Sequence, residues 1–356
     1  MTALRLPPLP TIKEVLKIYK LRAIKQLSQN FIFDQNLTDK IIKKTGNLAD
    51  CYALEIGPGP GGLTRSILKQ HPKKLTVIEK DERFKPMLDM LIDSYAAVNG
   101  EMEVIYNDIM KVDMSDLFPT SVKTAWEDHS PKIRLIGNLP FNVSTPLIIK
   151  WLHALSEKRG PWVFGRTRMT LTFQKEVAER IVAEPSDIQR CRLSVMAQAW
   201  TRPVLHFIIP GRAFIPKPDV DVGLVSFVPL VTPRTRHEFK IFEKVNRHIF
   251  SFRQKYSIRG IETLFPVEYR TELGQMMYKL SDLDPQLRSV QLTVEDIDKL
   301  VTAYKYLLEK YPDIRMYEYR TSRRIVSLSK MKDLEVIDYV EDINVEDTQA
   351  TTEIIN

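Results

Sequence analysis

Cysteine is scarce in this 356-residue chain. Cys51 and Cys191 are the only two, which excludes a disulfide framework and leads us to expect a reducing compartment. No apolar run reaches the roughly 18 residues needed to cross a bilayer. There is also no short apolar core of the kind a secretory signal requires. Basic residues are missing from the last 24 positions, where Asp333, Glu335, Asp338, Glu341, Asp342, Glu346, Asp347 and Glu353 supply eight acids. The formal charge of +7 therefore conceals a body at +15 over residues 1–332, with 52 bases against 37 acids. A body that basic points to a polyanionic partner, nucleic acid first. A solvated lysine-rich surface is the competing reading.

Acids are also scarce at the N-terminus, where Glu14 is the only one in residues 1–27. Leu6-Pro-Pro-Leu-Pro10 is extended, and a helical pattern begins at Thr11. It places Ile12, Val15, Leu16, Tyr19 and Ala23 on one face and Lys13, Lys17 and Lys20 on another. A basic amphipathic stretch of this kind fits mitochondrial targeting. An ordinary surface helix is the alternative.

From Asp34 onward, strand and helix signals alternate. Strands are expected over 52–56, 75–78, 104–106, 133–136, 170–173, 204–208 and 224–227, with helices over 62–70 and 81–92 among them. Ser144 or Thr145 is expected to cap the next helix, with Pro146 near its first position. After Pro233 only helices are expected, over 237–255, 267–280 and 293–309, the last opened by a near capping box, Thr293-Val-Glu-Asp296. The pattern implies an α/β fold with a doubly wound, mostly parallel sheet and a smaller all-helical C-terminal domain. Boundaries fall at 1–27 (basic segment), 28–230 (sheet domain), 231–330 (helical domain) and 331–356 (acidic tail, expected to be disordered).

Gly57-Pro-Gly59-Pro-Gly-Gly62 satisfies G-x-G-x-x-G, a weak signal alone. No G-K-[ST] follows it, which excludes a P-loop. Glu79 closes the second strand, where an acid takes both ribose hydroxyls of a nucleotide, and Asp108 closes the third. A nicotinamide oxidoreductase would share these features. However, Glu55 stands where dinucleotide binders carry an apolar residue, and no hydride-transfer constellation follows. Asn138-Leu139-Pro140-Phe141 closes the fourth strand. An exocyclic adenine amine is a poor nucleophile because its lone pair is delocalised into the ring. An Asn oxygen and a backbone carbonyl opened by Pro can each accept one of its hydrogens, while Phe141 stacks on the base.

With these residues placed, the chain resembles the ribosomal RNA adenine N6,N6-dimethyltransferase family, in its mitochondrial branch. The matching motifs are Lys25-Gln-Leu-Ser-Gln-Asn-Phe-Ile32, Glu55-Ile-Gly-Pro-Gly59, Val77-Ile-Glu79-Lys80, Asp108, and Asn138-Leu-Pro-Phe141. Phe173-Gln-Lys-Glu-Val-Ala-Glu-Arg180, Arg192-Leu-Ser-Val-Met-Ala-Gln198 and Ala213-Phe-Ile-Pro-Lys-Pro-Asp-Val220 follow in order. Ile32 replaces the usual Leu, and the acidic tail has no counterpart.

The resemblance implies S-adenosylmethionine as cofactor, held by Gln29, Asn30, Phe31, Ile32, Gly57, Gly59, Glu79, Lys80, Asp108, Ile109 and Asn138, with no metal. It places Asn138, Pro140, Phe141 and Phe214 around the target base. It further implies dimethylation of two adjacent adenosines in a hairpin near the 3′ end of mitochondrial small-subunit ribosomal RNA, by a matrix monomer with no membrane attachment. The assembling small ribosomal subunit would be a partner, and Arg247, Arg253, Lys255 and Arg259 would meet RNA. The alternative is a mitochondrial transcription factor that binds DNA or the transcription machinery on the same fold, with or without catalysis.

Overall fold

The computed structural model describes residues 6–19, 30–252 and 255–319. Short apolar runs form β2 (Tyr52–Ile56), β3 (Lys74–Glu79), β4 (Met102–Tyr106), β5 (Ile133–Gly137) and β6 (Arg168–Gln174), all parallel. Helices cover both faces of these strands, which is why they read as nearly continuous apolar runs. β7 (Thr201–Ile209) and β9 (Val222–Pro229) complete a seven-stranded sheet in the order β4-β3-β2-β5-β6-β9-β7, with β9 antiparallel to both its neighbours. The order reverses between β2 and β5, the place where doubly wound sheets bind ligands.

α2 (Gln35–Lys44), α3 (Gly62–Leu68) and α4 (Lys85–Ala96) bury Ile41, Ile67 and Leu88 with Leu75 and Val77 on one face. α5 (Phe141–Ser156), α6 (Lys175–Val182) and α7 (Arg192–Trp200) bury Leu147, Ile181 and Val195 with Leu135 and Leu171 on the other. A separate two-stranded ribbon pairs β1 (Phe31–Ile32) with β8 (Phe214–Ile215), setting Phe31 opposite Ile215 and Ile32 opposite Phe214. Strands this short carry no sequence periodicity, and neither was expected.

α5 starts four or five residues earlier than expected. Pro140, not Ser144 or Thr145, is its N-cap, and the Pro140 carbonyl accepts from the Val143 and Ser144 amides at 3.0 Å each. Pro146 therefore lies inside the helix, where it lacks the amide that would bond back to Asn142. The fixed φ of Pro140 launches the helix directly from the end of β5.

Past Pro229 the described residues form no further strand. α8 (Phe239–Phe250), α9 (Ile258–Ile261), α10 (Arg270–Ser281) and α11 (Val294–Lys310) make up the helical C-terminal region. Thr293 caps α11 through the expected box, with Asp296 accepting from both the Thr293 amide and its hydroxyl. Trp200 packs on Phe239 and Phe242, with ring centres 5.1 and 5.4 Å apart, so one apolar cluster runs from the sheet into this region.

Near the N-terminus, α1 (Ile12–Ile18) has its own capping box, Thr11 with Glu14. Ile12 and Val15 are buried against the body, and Arg65 Nη1 donates to the Pro10 carbonyl at 2.7 Å. This part of the basic segment folds as the surface-helix reading expects. Lys20, Ala23, the Lys25–Gln29 half of the first motif and the acidic tail lie outside the described residues.

Candidate active site

A cleft opens at the C-terminal ends of β2, β3 and β5. Asn30, Phe31, Ile32, Gly57, Gly59, Glu79, Asn138 and Pro140, all named from the sequence, line it, and Glu55, Pro58, Pro60, Gly62 and Leu63 complete the wall. The glycines are there for shape. Gly59 has φ +52°, and a Cβ on it would sit 2.6 Å from the Phe31 ring. One on Gly62 would come within 2.5 Å of the Ile32 carbonyl oxygen. The segment carrying β1 thus lies directly on the loop, and only glycine leaves room for it.

Glu79 is tied into this loop. Its Oε2 accepts from the Gly59 amide at 3.0 Å, and its Oε1 from the amides of Lys80 and Asp81 at 2.8 Å each. A carboxylate offers about four acceptor positions, so three are already taken. Roughly one remains, at Oε2. Burial raises the Glu79 pKa despite these amides.

Glu55 contrasts with it. It is 1% exposed, yet neither carboxyl oxygen has a hydrogen-bond partner among the described residues. The nearby Thr64 hydroxyl and amide favour its charged form but fall short of bonding geometry. Burial, seconded by the Glu79 charge, pushes the carboxyl up to about 8. Glu55 is thus a buried acid on the cleft wall with no hydrogen-bond partner among the described residues.

Asn138 sits on the opposite lip with both ends of its carboxamide engaged. Nδ2 donates to the Asn30 carbonyl at 3.0 Å, and Oδ1 accepts from the Thr172 hydroxyl at 2.9 Å. Oδ1 keeps a second lone pair. The Pro140 carbonyl is consumed by α5, so the first carbonyl outside the helix belongs to Leu139, and no described donor reaches it. Thr172, in the apolar run of β6, was not singled out from sequence, because nothing local marks its partner 34 residues away.

Several expected residues do not line the cleft. Lys80 and Asp108 pair with each other at 2.8 Å. Burial opposes ionisation of Asp108, but Lys80 and the Met110 amide outweigh it and hold the carboxyl below its usual range. Ile109 is 7% exposed and packs in the core with Ile56 and Leu139. Phe214, on β8 of the ribbon, is 2% exposed and packs in the core cluster with Ile32. Phe141, the first residue of α5, is half-buried against the same cluster. Gln29 and Arg253 lie outside the described residues, as do the neighbours of Lys255 on one side. Arg247 reaches Glu318 at 3.9 Å and Arg259 reaches Glu262 at 3.1 Å, so these two arginines already have acidic neighbours.

Comparison with known proteins agrees with this geometry. The profile of the ribosomal RNA adenine dimethylase family matches residues 20–301. The chain is 50% identical over 324 residues to dimethyladenosine transferase 1, mitochondrial, of Xenopus tropicalis, covering 91% of this chain and 93% of the relative. It is 49% identical over 320 residues to the human protein of that name, covering 90% and 92%. Among solved structures, a dimethyladenosine transferase from Plasmodium falciparum superposes with TM-score 0.56 at 21% identity, covering 78% of this chain and 98% of that one. The 23S rRNA methyltransferase ErmE gives 0.53 at 18%, covering 78% and 100%. These two likenesses bear on the fold alone. The chain belongs to the ribosomal RNA adenine dimethylase family, and it is an rRNA adenine N6,N6-dimethyltransferase.

Proposed function

We propose that the protein dimethylates N6 of two adjacent adenosines in a hairpin near the 3′ end of mitochondrial small-subunit ribosomal RNA, in the matrix, using S-adenosylmethionine. The relatives' names support a mitochondrial location. The cleft supports the cofactor. Its orphaned Glu55 suits a cationic ligand, its glycine loop admits a nucleoside, and the free position on Glu79 Oε2 suits one ribose hydroxyl. When bound there, S-adenosylmethionine supplies an electrophilic sulfonium methyl.

The observation that carries the reading is the position of Asn138, which lines the cofactor cleft while holding one oxygen lone pair ready for a hydrogen-bond donor. Oδ1 accepts one N6 hydrogen and the Leu139 carbonyl the other, drawing the amine toward tetrahedral geometry. As the new N–C bond forms, positive charge grows on N6, and both acceptors strengthen with it. The base is then held by orientation and not by an acid–base pair.

Mass spectrometry of mitochondrial small-subunit rRNA from cells with and without the protein tests the assignment. Two adjacent dimethyladenosines should disappear in its absence and return with the wild-type chain, but not with Asn138→Ala. Return with Asn138→Ala would overturn the role given to Asn138, whereas persistence of both dimethyladenosines without the protein would overturn the substrate assignment and favour the nucleic-acid-binding transcription factor.

A further inference from the structure

We propose that Thr172 is a positioning residue for methyl transfer. Its hydroxyl locks the Asn138 carboxamide in the one orientation that offers an acceptor to the target amine. This rests on the reading of Asn138 given above.

A carboxamide can turn over and exchange its oxygen for its NH2, and only one of the two orientations serves an amine that must be received by an acceptor. In this site the Asn30 carbonyl chooses the orientation, and the Thr172 hydroxyl holds the oxygen end in it. The Asn30 carbonyl can only accept, so it requires Nδ2 on its side, 3.0 Å away. Oδ1 then necessarily faces Thr172, and the threonine hydroxyl must be the donor of that 2.9 Å bond. Reversal would set Oδ1 against the Asn30 oxygen, two acceptors in contact, and would leave NH2 protons aimed at an amine that itself carries protons.

The anchor is rigid. Thr172 is fully buried on β6, and its neighbour Leu171 is registered against Gly137, the residue just before Asn138. Thr172 is absent from the cleft wall, so it acts on the reaction only through Asn138.

The bland alternative is that a buried strand hydroxyl simply takes the nearest acceptor. The molecule carries its own control for that. Thr170, two residues earlier on the same face of β6, is 4% exposed and bonds Ser226 at 2.9 Å. It has the same residue type, strand and burial, but its partner is not Asn138.

The test is single-turnover methylation of a hairpin RNA by the full chain, alongside thermal melting and calorimetric S-adenosylmethionine affinity. Thr172→Val and Thr170→Val should melt at similar temperatures. Thr172→Val should lose on the order of a hundredfold in rate, the scale of a misplaced reacting group, while Thr170→Val keeps the wild-type rate. Cofactor affinity should stay within about twofold in both, since Thr172 touches only the acceptor end of the site. Thr172→Ser and Thr172→Ala guard against a folding defect, since they differ by one oxygen. Ser should recover most of the rate and Ala should not. Equal rates for Ser and Ala, or a wild-type rate for Thr172→Val, would overturn the proposal. A wild-type rate for Asn138→Ala would instead bring down the underlying reading of the site.

Discussion

Two buried ionisable side chains sit in different regions of the molecule and are treated in opposite ways. Arg190 is fully buried where the sheet region meets the helical one. Its Nε donates to the Leu292 carbonyl at 3.1 Å, and its Nη1 to the Ala183 carbonyl at 2.8 Å and Gln198 Oε1 at 3.0 Å. It thereby ties the end of α6, the body of α7 and the approach to α11 into one joint. Glu55, as deeply buried in the cleft, has no partner at all among the described residues. Arg190 leaves only its Nη2 without a described partner while its other donors stitch three segments together, whereas Glu55 faces the cleft with neither oxygen bonded.

The joint should show the larger effect. Arg190→Met leaves the Leu292 carbonyl and Gln198 Oε1 without their donor, at roughly 1–3 kcal/mol for each unpaired acceptor. Denaturant unfolding of the full chain should lose several kcal/mol, while S-adenosylmethionine affinity of the folded fraction holds. If stability is unchanged, the joint is no more than a packed surface.

Asn138→Ala comes next and should spare stability. Losing one placed acceptor costs about 2.7–4 kcal/mol, or a hundred- to a thousandfold in single-turnover rate. RNA affinity should hardly move, because backbone phosphate contacts dominate it.

Glu55→Gln sharpens the contrast through pH. The Glu55 carboxyl titrates near 8 when folded, against an ordinary value of 4.5. The native state therefore keeps a proton that the unfolded chain gives up, and ligand-free stability should fall as pH rises from about 4.5 to about 8. Melting of the wild type should follow that slope, and Glu55→Gln should flatten it while weakening cofactor binding. A slope that survives the substitution assigns it to another group. Thr293→Ala, which removes the cap beside Leu292, is the smallest change, about 1 kcal/mol in melting experiments.

Those same regions differ in how far they could be read from sequence. The cleft was legible because its demands are local. Gly57 and Gly59 need left-handed backbone, and Glu79 and Asn138 each close a strand at the sheet's reversal. Arg190, Thr172 and the buried Phe214 were not, since each takes its meaning from partners 34 to 182 residues away. Asp108 was legible as a strand-end acid but not as the partner of Lys80. Pro146 misled because a proline near a run of Ser and Thr imitates a helix start, while the true start was set by Pro140. α11 was read correctly from its cap because a capping box is complete within four residues.

The β1–β8 ribbon has a consequence for turnover. Phe31 forms part of the cofactor wall, and its strand is paired with the strand that carries Phe214. On the reaction proposed above, each methyl delivered consumes one S-adenosylmethionine, so completing a dimethylated pair requires the wall to admit fresh cofactor several times. Displacing Phe31 in any such exchange would act through the β1–β8 pairing on Phe214 and the core cluster it packs in, so the wall opens against part of the sheet domain's own packing.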